Sequence, residues 1–224
     1  MKNLLLTVFV FTALFSNAQD CGKYYYFQTD KTITMGMYDR HGGDNGKVVY
    51  TVGDLSGDSI QVKSEAFSSK GKSMGRSISI VKCNNGMLML DMKMILPPQQ
   101  DQGPFKDNNV NATAKGTFLE YPATMNIGDK LKDGSFSSTT NNGGPKSSFN
   151  FEIYDRKVAG KESVTTPAGT WDCYKIAYTS KVKIKSGPIF IPSFSADATE
   201  WYAPGFGVIQ TENKFGTMKL VSIQ

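Results

Sequence analysis

The chain is poor in the residues from which most active sites are built. It has one histidine, His41, and three cysteines, Cys21, Cys83 and Cys173. No cysteine has a Cys or His two to four residues away, so the common zinc-ligand spacings are missing. No cofactor site is expected. No run of five like charges occurs, although the formal net charge is +5. A nucleic-acid footprint needs basic residues gathered on one surface, so no nucleic-acid partner is expected. After the first eighteen residues no apolar run approaches the roughly 18 residues that cross a bilayer, so no transmembrane segment is expected. No window holds apolar residues at helical spacing, which excludes an α-helical domain.

What is present begins with a leader. Met1-Lys2-Asn3 is a short basic start, Leu4 to Phe15 is apolar apart from two threonines, and Ser16-Asn17-Ala18 ends in small residues. This is the pattern of a secretory signal over residues 1–18, with the mature chain starting at Gln19. The expected location is therefore exported, periplasmic or extracellular, in a disulfide-permissive compartment. Ala18-Gln19-Asp20 before Cys21 is not a lipobox, so no lipid anchor is expected there. Three cysteines cannot all pair within one chain. Cys173 lies among strand-like residues, where a free cysteine acts as a small hydrophobe. Cys21 and Cys83 are the better disulfide pair.

Period-2 alternation dominates the remainder. Ser59 to Ala66, Phe149 to Asp155 and Tyr174 to Tyr178 each alternate polar with apolar or small residues. That marks strands with one buried and one wet face. Turn signals such as Ser56-Gly57-Asp58, Asn84-Asn85-Gly86 and Pro204-Gly205 separate the runs. The expectation is an all-β domain over residues 19–224, with roughly ten to twelve strands in antiparallel meanders and almost no helix. The meanders would form a curved sheet, a half-open barrel or a sandwich. Met37-Tyr38-Asp39-Arg40 and Ile153-Tyr154-Asp155-Arg156 echo each other, which suggests a two-meander pseudo-repeat over about 30–95 and 147–224. Pro97 to Lys115 and Thr139 to Ser148 read as loops.

The chemistry-bearing patterns favour plain readings. Gly71-Lys72-Ser73-Met74-Gly75 matches a nucleophile elbow, but an elbow needs a strand-to-helix turn and a later histidine. Ala66 to Ser73 fits a relaxed phosphate loop, yet a strand rather than a helix follows. The methionines from Met87 to Met94 divide between two faces and read as core, not as a copper site. Lys175, Lys181, Lys183 and Lys185 share one strand face, read as a solvated face guarding an edge. Asp58-Ser59-Ile60 resembles a short bacterial O-glycosylation sequon at Ser59. Trp201, Tyr202 and Phe206 surround the Pro204-Gly205 turn and are the ligand-contact candidates, with core sealing as the structural reading. Alternation puts Trp201 and Ala203 on one face, Glu200 and Tyr202 on the other.

Several stretches resemble a known family together. They are Asp20-Cys21 to Phe27, Val81 to Gly86 leading to Asp91-Met92, Tyr121-Pro122 with Ile127-Gly128-Asp129, and Thr165 to Ile176 with Glu200 to Val208. The set is similar to the TapB-like exported bacterial proteins, a domain family of unknown function, with a leader like those of Bacteroidetes. The resemblance implies an antiparallel β fold and supplies no catalytic residues. The functional expectation is a non-catalytic exported domain binding a lipid- or glycan-like ligand at the envelope. The alternatives are a module that binds an envelope protein and a hydrolase with an unrecognised carboxylate site.

Overall fold

The computed structural model describes residues 21–95, 115–140, 147–186 and 189–224. The leader, most of the Pro97 to Lys115 stretch and Asn141 to Lys146 lie outside the described residues. Thirteen strands follow in order: β1 Thr32–Asp39, β2 Asp44–Ser56, β3 Ser59–Phe67, β4 Ser73–Asn84, β5 Met87–Asp91, β6 Lys115–Gly116, β7 Phe118–Tyr121, β8 Gly134–Thr140, β9 Ser147–Thr166, β10 Gly169–Ser186, β11 Ile189–Ala203, β12 Gly207–Asn213 and β13 Gly216–Ile223. Three short 3-10 turns are the only helical elements among the described residues.

All thirteen strands belong to one sheet, ordered β6-β8-β9-β10-β11-β12-β13-β1-β2-β3-β4-β5-β7. A sandwich would need two sheets, so the barrel form of the sequence expectation is the one adopted. Its edge strands β6 and β7 are consecutive in the chain, separated only by Thr117. β6 pairs with β8 and β7 with β5. Together they act as one interrupted strand that draws the two ends of the sheet toward each other, giving a nearly closed barrel of twelve staves. Thr117 ties the seam. Its N–H donates to the Ser135 carbonyl at 2.9 Å, and its hydroxyl accepts from the Ser135 N–H at 2.8 Å.

Alternation decides what faces inward. In β3, Ile60, Val62, Ser64 and Ala66 are buried, and the residues between them are half-buried or exposed. The barrel interior is lined in the same way from every side, by Ile33, Tyr50, Val81, Leu88, Ile153 and Ile176 among others. One end is plugged by the N-terminal segment, where Tyr24, Tyr25 and Tyr26 are all buried. The Tyr25 N–H donates to the Phe206 carbonyl at 3.0 Å, and its hydroxyl to the Val208 carbonyl at 2.8 Å. The Tyr25 ring explains Gly207, since a Cβ there would fall 2.3 Å from that ring. The disulfide between Cys21 and Cys83, with Cα atoms 5.9 Å apart, fastens the plug to β4.

The two echoing segments occupy different settings. Tyr38-Asp39-Arg40 leads into the β1–β2 turn, where Asp39 accepts from the N–H groups of His41 and Gly43. Asp155, at φ 57°, lies inside β9. Gly71 sits in the β3–β4 hairpin turn at φ 76°, so the elbow and phosphate-loop patterns occupy a strand-to-strand connection.

Candidate functional site

Two polar constellations stand out, one inside the barrel and one outside. The inner one starts from a β-bulge. Up to Ile153 the odd residues of β9 point inward. At Asp155 the backbone turns to positive φ and the register against β10 shifts between Ala177 and Thr179. The extra residue switches the phase, so Arg156 and Val158 point inward instead. On β11, Glu200 shares the inner face with Tyr202. Arg156 Nη2 and Glu200 Oε1 are 3.2 Å apart with both side chains buried. The Tyr121 hydroxyl donates to Glu200 Oε2 at 3.0 Å. Arg156 Nη1 donates to the carbonyls of Lys132, at 2.9 Å, and Glu120, at 3.2 Å. The guanidinium also lies 4.9 Å from the centre of the Tyr121 ring, which stacks on Tyr202 at 4.8 Å. Tyr202 in turn shares a hydroxyl–hydroxyl bond of 2.9 Å with Tyr24 of the plug.

Burial raises the Glu200 carboxyl above its usual range, outweighing the pull of Arg156 and the Tyr121 bond. The Tyr121 phenol is pushed up by burial first and then by the Glu200 charge. Perturbed acids often mark catalysis. These are enclosed by side chains, whereas a reacting group needs a cleft beside it. What the cluster does is join β7, β9, β11 and the plug.

The outer constellation lies on the opposite face of the same strands. Trp201 points outward and is 8% exposed. Its indole N–H donates to Glu162 Oε1. Lys175 Nζ sits 3.4 Å from Glu162 and 5.5 Å from the Trp201 ring centre. The indole bond first, and Lys175 after it, hold the Glu162 carboxyl below its usual range. A groove of about 700 Å³ runs alongside, lined by Asp155, Lys175, Thr179, Asp197, Trp201 and Lys214. A second groove of about 430 Å³, with Tyr38, Arg40 and Lys219, shares Glu212, Asn213 and Lys214 with it. Ring, carboxylates, hydroxyl and ammonium groups together suit a polar ligand with one apolar face.

The structure separates the three aromatic candidates. Tyr202 is 0% exposed and faces the interior. Trp201 faces out, beneath Lys175 and Glu162. Phe206 packs between Tyr25 and Trp171, at ring separations of 5.3 and 5.0 Å. The turn between them has the expected form: the Phe206 N–H reaches back to the Ala203 carbonyl at 3.1 Å, with Gly205 at φ 71°. Ser59 is half-buried at the β2–β3 turn, and its hydroxyl donates to the Ser56 carbonyl at 2.9 Å. Cys173 is a buried free thiol, pushed up to about 12 by its burial. Met92 and Met94 are buried in the core, while Met87 and Met89 are half-buried. Lys183 pairs with Glu152 at 3.0 Å. The Arg156–Glu200–Tyr121 cluster escaped the sequence reading. Its signal was Asp155, a charge falling on the inward phase of an alternating strand.

A DUF3108-like family model matches residues 28–224. Among solved structures, a candidate lipoprotein from Parabacteroides distasonis superposes with a TM-score of 0.69 at 22% identity, covering 88% of this chain and 95% of the other. A candidate exported protein with a YmcC-like fold from Bacteroides fragilis gives a TM-score of 0.64 at 22% identity, covering 88% and 96%. Likeness at this identity speaks for the fold alone. None of the curated proteins compared with the chain matches it.

Proposed function

The chain belongs to the DUF3108-like family, and we propose that within it this protein is an exported, non-catalytic envelope domain that binds a glycan-like ligand in the groove beside Trp201. The leader over residues 1–18, the placing in the periplasm or outside the cell, residues 19–224 as one unit and the narrower TapB-like likeness belong to the same reading. One observation carries it: carboxylates, a threonine hydroxyl and lysines line a groove large enough for a small oligosaccharide, with the largely covered Trp201 ring in its wall. Sugars offer hydroxyls to such polar groups and a C–H face to the ring edge between them. A lipid held inside the barrel fits less well, because Tyr25, Tyr121, Tyr202 and Arg156 fill that space. Docking of an envelope protein is the second reading, favoured by Ile78 and Ile80 on the exposed face of β4.

Binding of the native protein to a panel of soluble oligosaccharides, followed by tryptophan emission, tests the reading. At least one glycan class should bind, and Asp197→Ala should weaken that binding while leaving the melting curve near wild type. A native mass spectrum of protein drawn from its own envelope completes the test. A co-purified lipid or partner chain, with no glycan bound, would overturn the proposal.

A further inference from the structure

The strands β8 to β11 run on past the barrel as a tongue. Only Ala198 to Ala203 of β11 pair with β12, so Ile189 to Asp197 have β10 as their one strand neighbour among the described residues. Residues directly opposite across an antiparallel pair share a face. The registers therefore set two rows across the tongue. One is Phe136, Phe151, Val182 and Phe194; the other is Ser138, Phe149, Ile184 and Ile191. Cover thins toward the β11 edge. Phe136 and Phe151 are buried, Val182 and Ile184 are half-buried, Ile191 is 41% exposed and Phe194 47%.

A second hairpin adds to this edge. Phe215 in the β12–β13 turn is 58% exposed and meets the Phe194 ring edge-on at 6.0 Å. Lys214 Nζ donates to the Ser195 carbonyl at 3.1 Å and fastens the two hairpins together. The other face of the tongue carries Lys181, Lys183 and Lys185. The acid bonded to them is Glu152, held by Lys183. The end of the tongue thus combines apolar tips from two hairpins with an excess of positive charge.

We propose that this end is a membrane-surface dock, with Ile191, Phe194 and Phe215 entering the headgroup–acyl boundary of an anionic bilayer. Lys181, Lys185 and Lys214 would reach the phosphates around them. Charge complementarity chooses the occupant. Lys214 stands beside Phe215, and Lys181 and Lys185 flank the β11 edge from the opposite face, so the end of the tongue presents positive charge that an anionic lipid surface answers. Exposed aromatics flanked by lysines are also the composition that settles at a bilayer interface. The dock shares Lys214 with the groove beside Trp201 and uses no other residue of that groove.

Vesicle flotation of the mature protein tests it, using phosphatidylcholine alone and phosphatidylcholine with phosphatidylglycerol. Wild type should float with the anionic vesicles, and added salt should weaken the binding. The double variant Phe194→Ser and Phe215→Ser alters exposed side chains, so its fold should persist. It should bind the anionic vesicles on the order of ten-fold more weakly. Lys181→Gln with Lys185→Gln should remove most of the salt dependence while leaving the melt unchanged. Failure of wild type to float would overturn the proposal, as would flotation unchanged in the Phe variant. So would sedimentation showing a wild-type dimer that the Phe variant dissolves, since the face would then be a self-association surface.

Discussion

Arg156 and Glu200 are the two charged side chains among the buried residues described. Each is tolerated because the other is there and because Tyr121 and two backbone carbonyls supply further bonds, although Arg156 Nε has no hydrogen-bond partner. Removing one partner leaves an uncompensated buried charge. Glu200→Ala should therefore destabilise the protein by about 3–5 kcal/mol in a denaturant melt. Glu200→Ala combined with Arg156→Met should recover part of that loss, and strictly additive losses would mean the pair is not coupled. Glu162 gives a second prediction, in pH. Its carboxyl is held low in the folded state, so its contribution is present above the unfolded value and is lost as pH falls through the folded one. Acidification should shift Trp201 emission as the indole loses its charged acceptor. Glu162→Gln should remove that step. Glu200 has the opposite sign: its raised carboxyl favours the fold below the unfolded value, and that contribution is lost as pH rises through the folded one.

At the level of elements, the plug and the β9 bulge do different work. Tyr25 fills the space a side chain at position 207 would need, and Gly207 itself sits at φ 137°. Gly207→Ala should displace the plug. The readout is faster proteolysis between Cys21 and Lys31 under reducing conditions, and unchanged cleavage would contradict the packing described. With the disulfide intact the same variant should be better protected, because closing a loop of that size contributes about 4 kcal/mol in the chain-entropy argument. The sequence made some of these elements legible and hid others. Ser59 to Ala66 could be read directly, because burial of one face imposes a period of two. The Ala203–Phe206 turn could be read because Pro204 and Gly205 meet a local demand of backbone geometry. The bulge at Asp155 leaves one local trace, a charge on the inward phase, while the register shift against β10 some twenty residues away leaves none. Alternation gives Trp201 its face, but nothing local indicates that Glu162 and Lys175 cover it. Tyr202 is the neighbour of Trp201 in sequence, and the pleat sends it to the opposite side of the wall.

For the molecule as a whole, the Cys21 thiol is engaged with Cys83. That leaves no sulfur at Cys21 for acylation. Intact mass of the exported protein is expected to give a chain beginning at Gln19 and two hydrogens lighter than the fully reduced form. A diacylglycerol mass on Cys21 would contradict both the leader assignment and the bond. β1 lies between β2, which follows it directly, and β13, the last strand in the chain. In the export proposed above the chain would emerge from its N-terminus, so β1 would wait for β13 before both its edges were paired. The plug waits as well, because Tyr25 needs the carbonyls of Phe206 and Val208. Throughout that interval a half-paired strand and three tyrosines would stand open to wrong partners, the situation in which folding is slow and aggregation competes. A chain released before β13 has emerged should therefore be the species that chaperones and proteases of the receiving compartment meet most often.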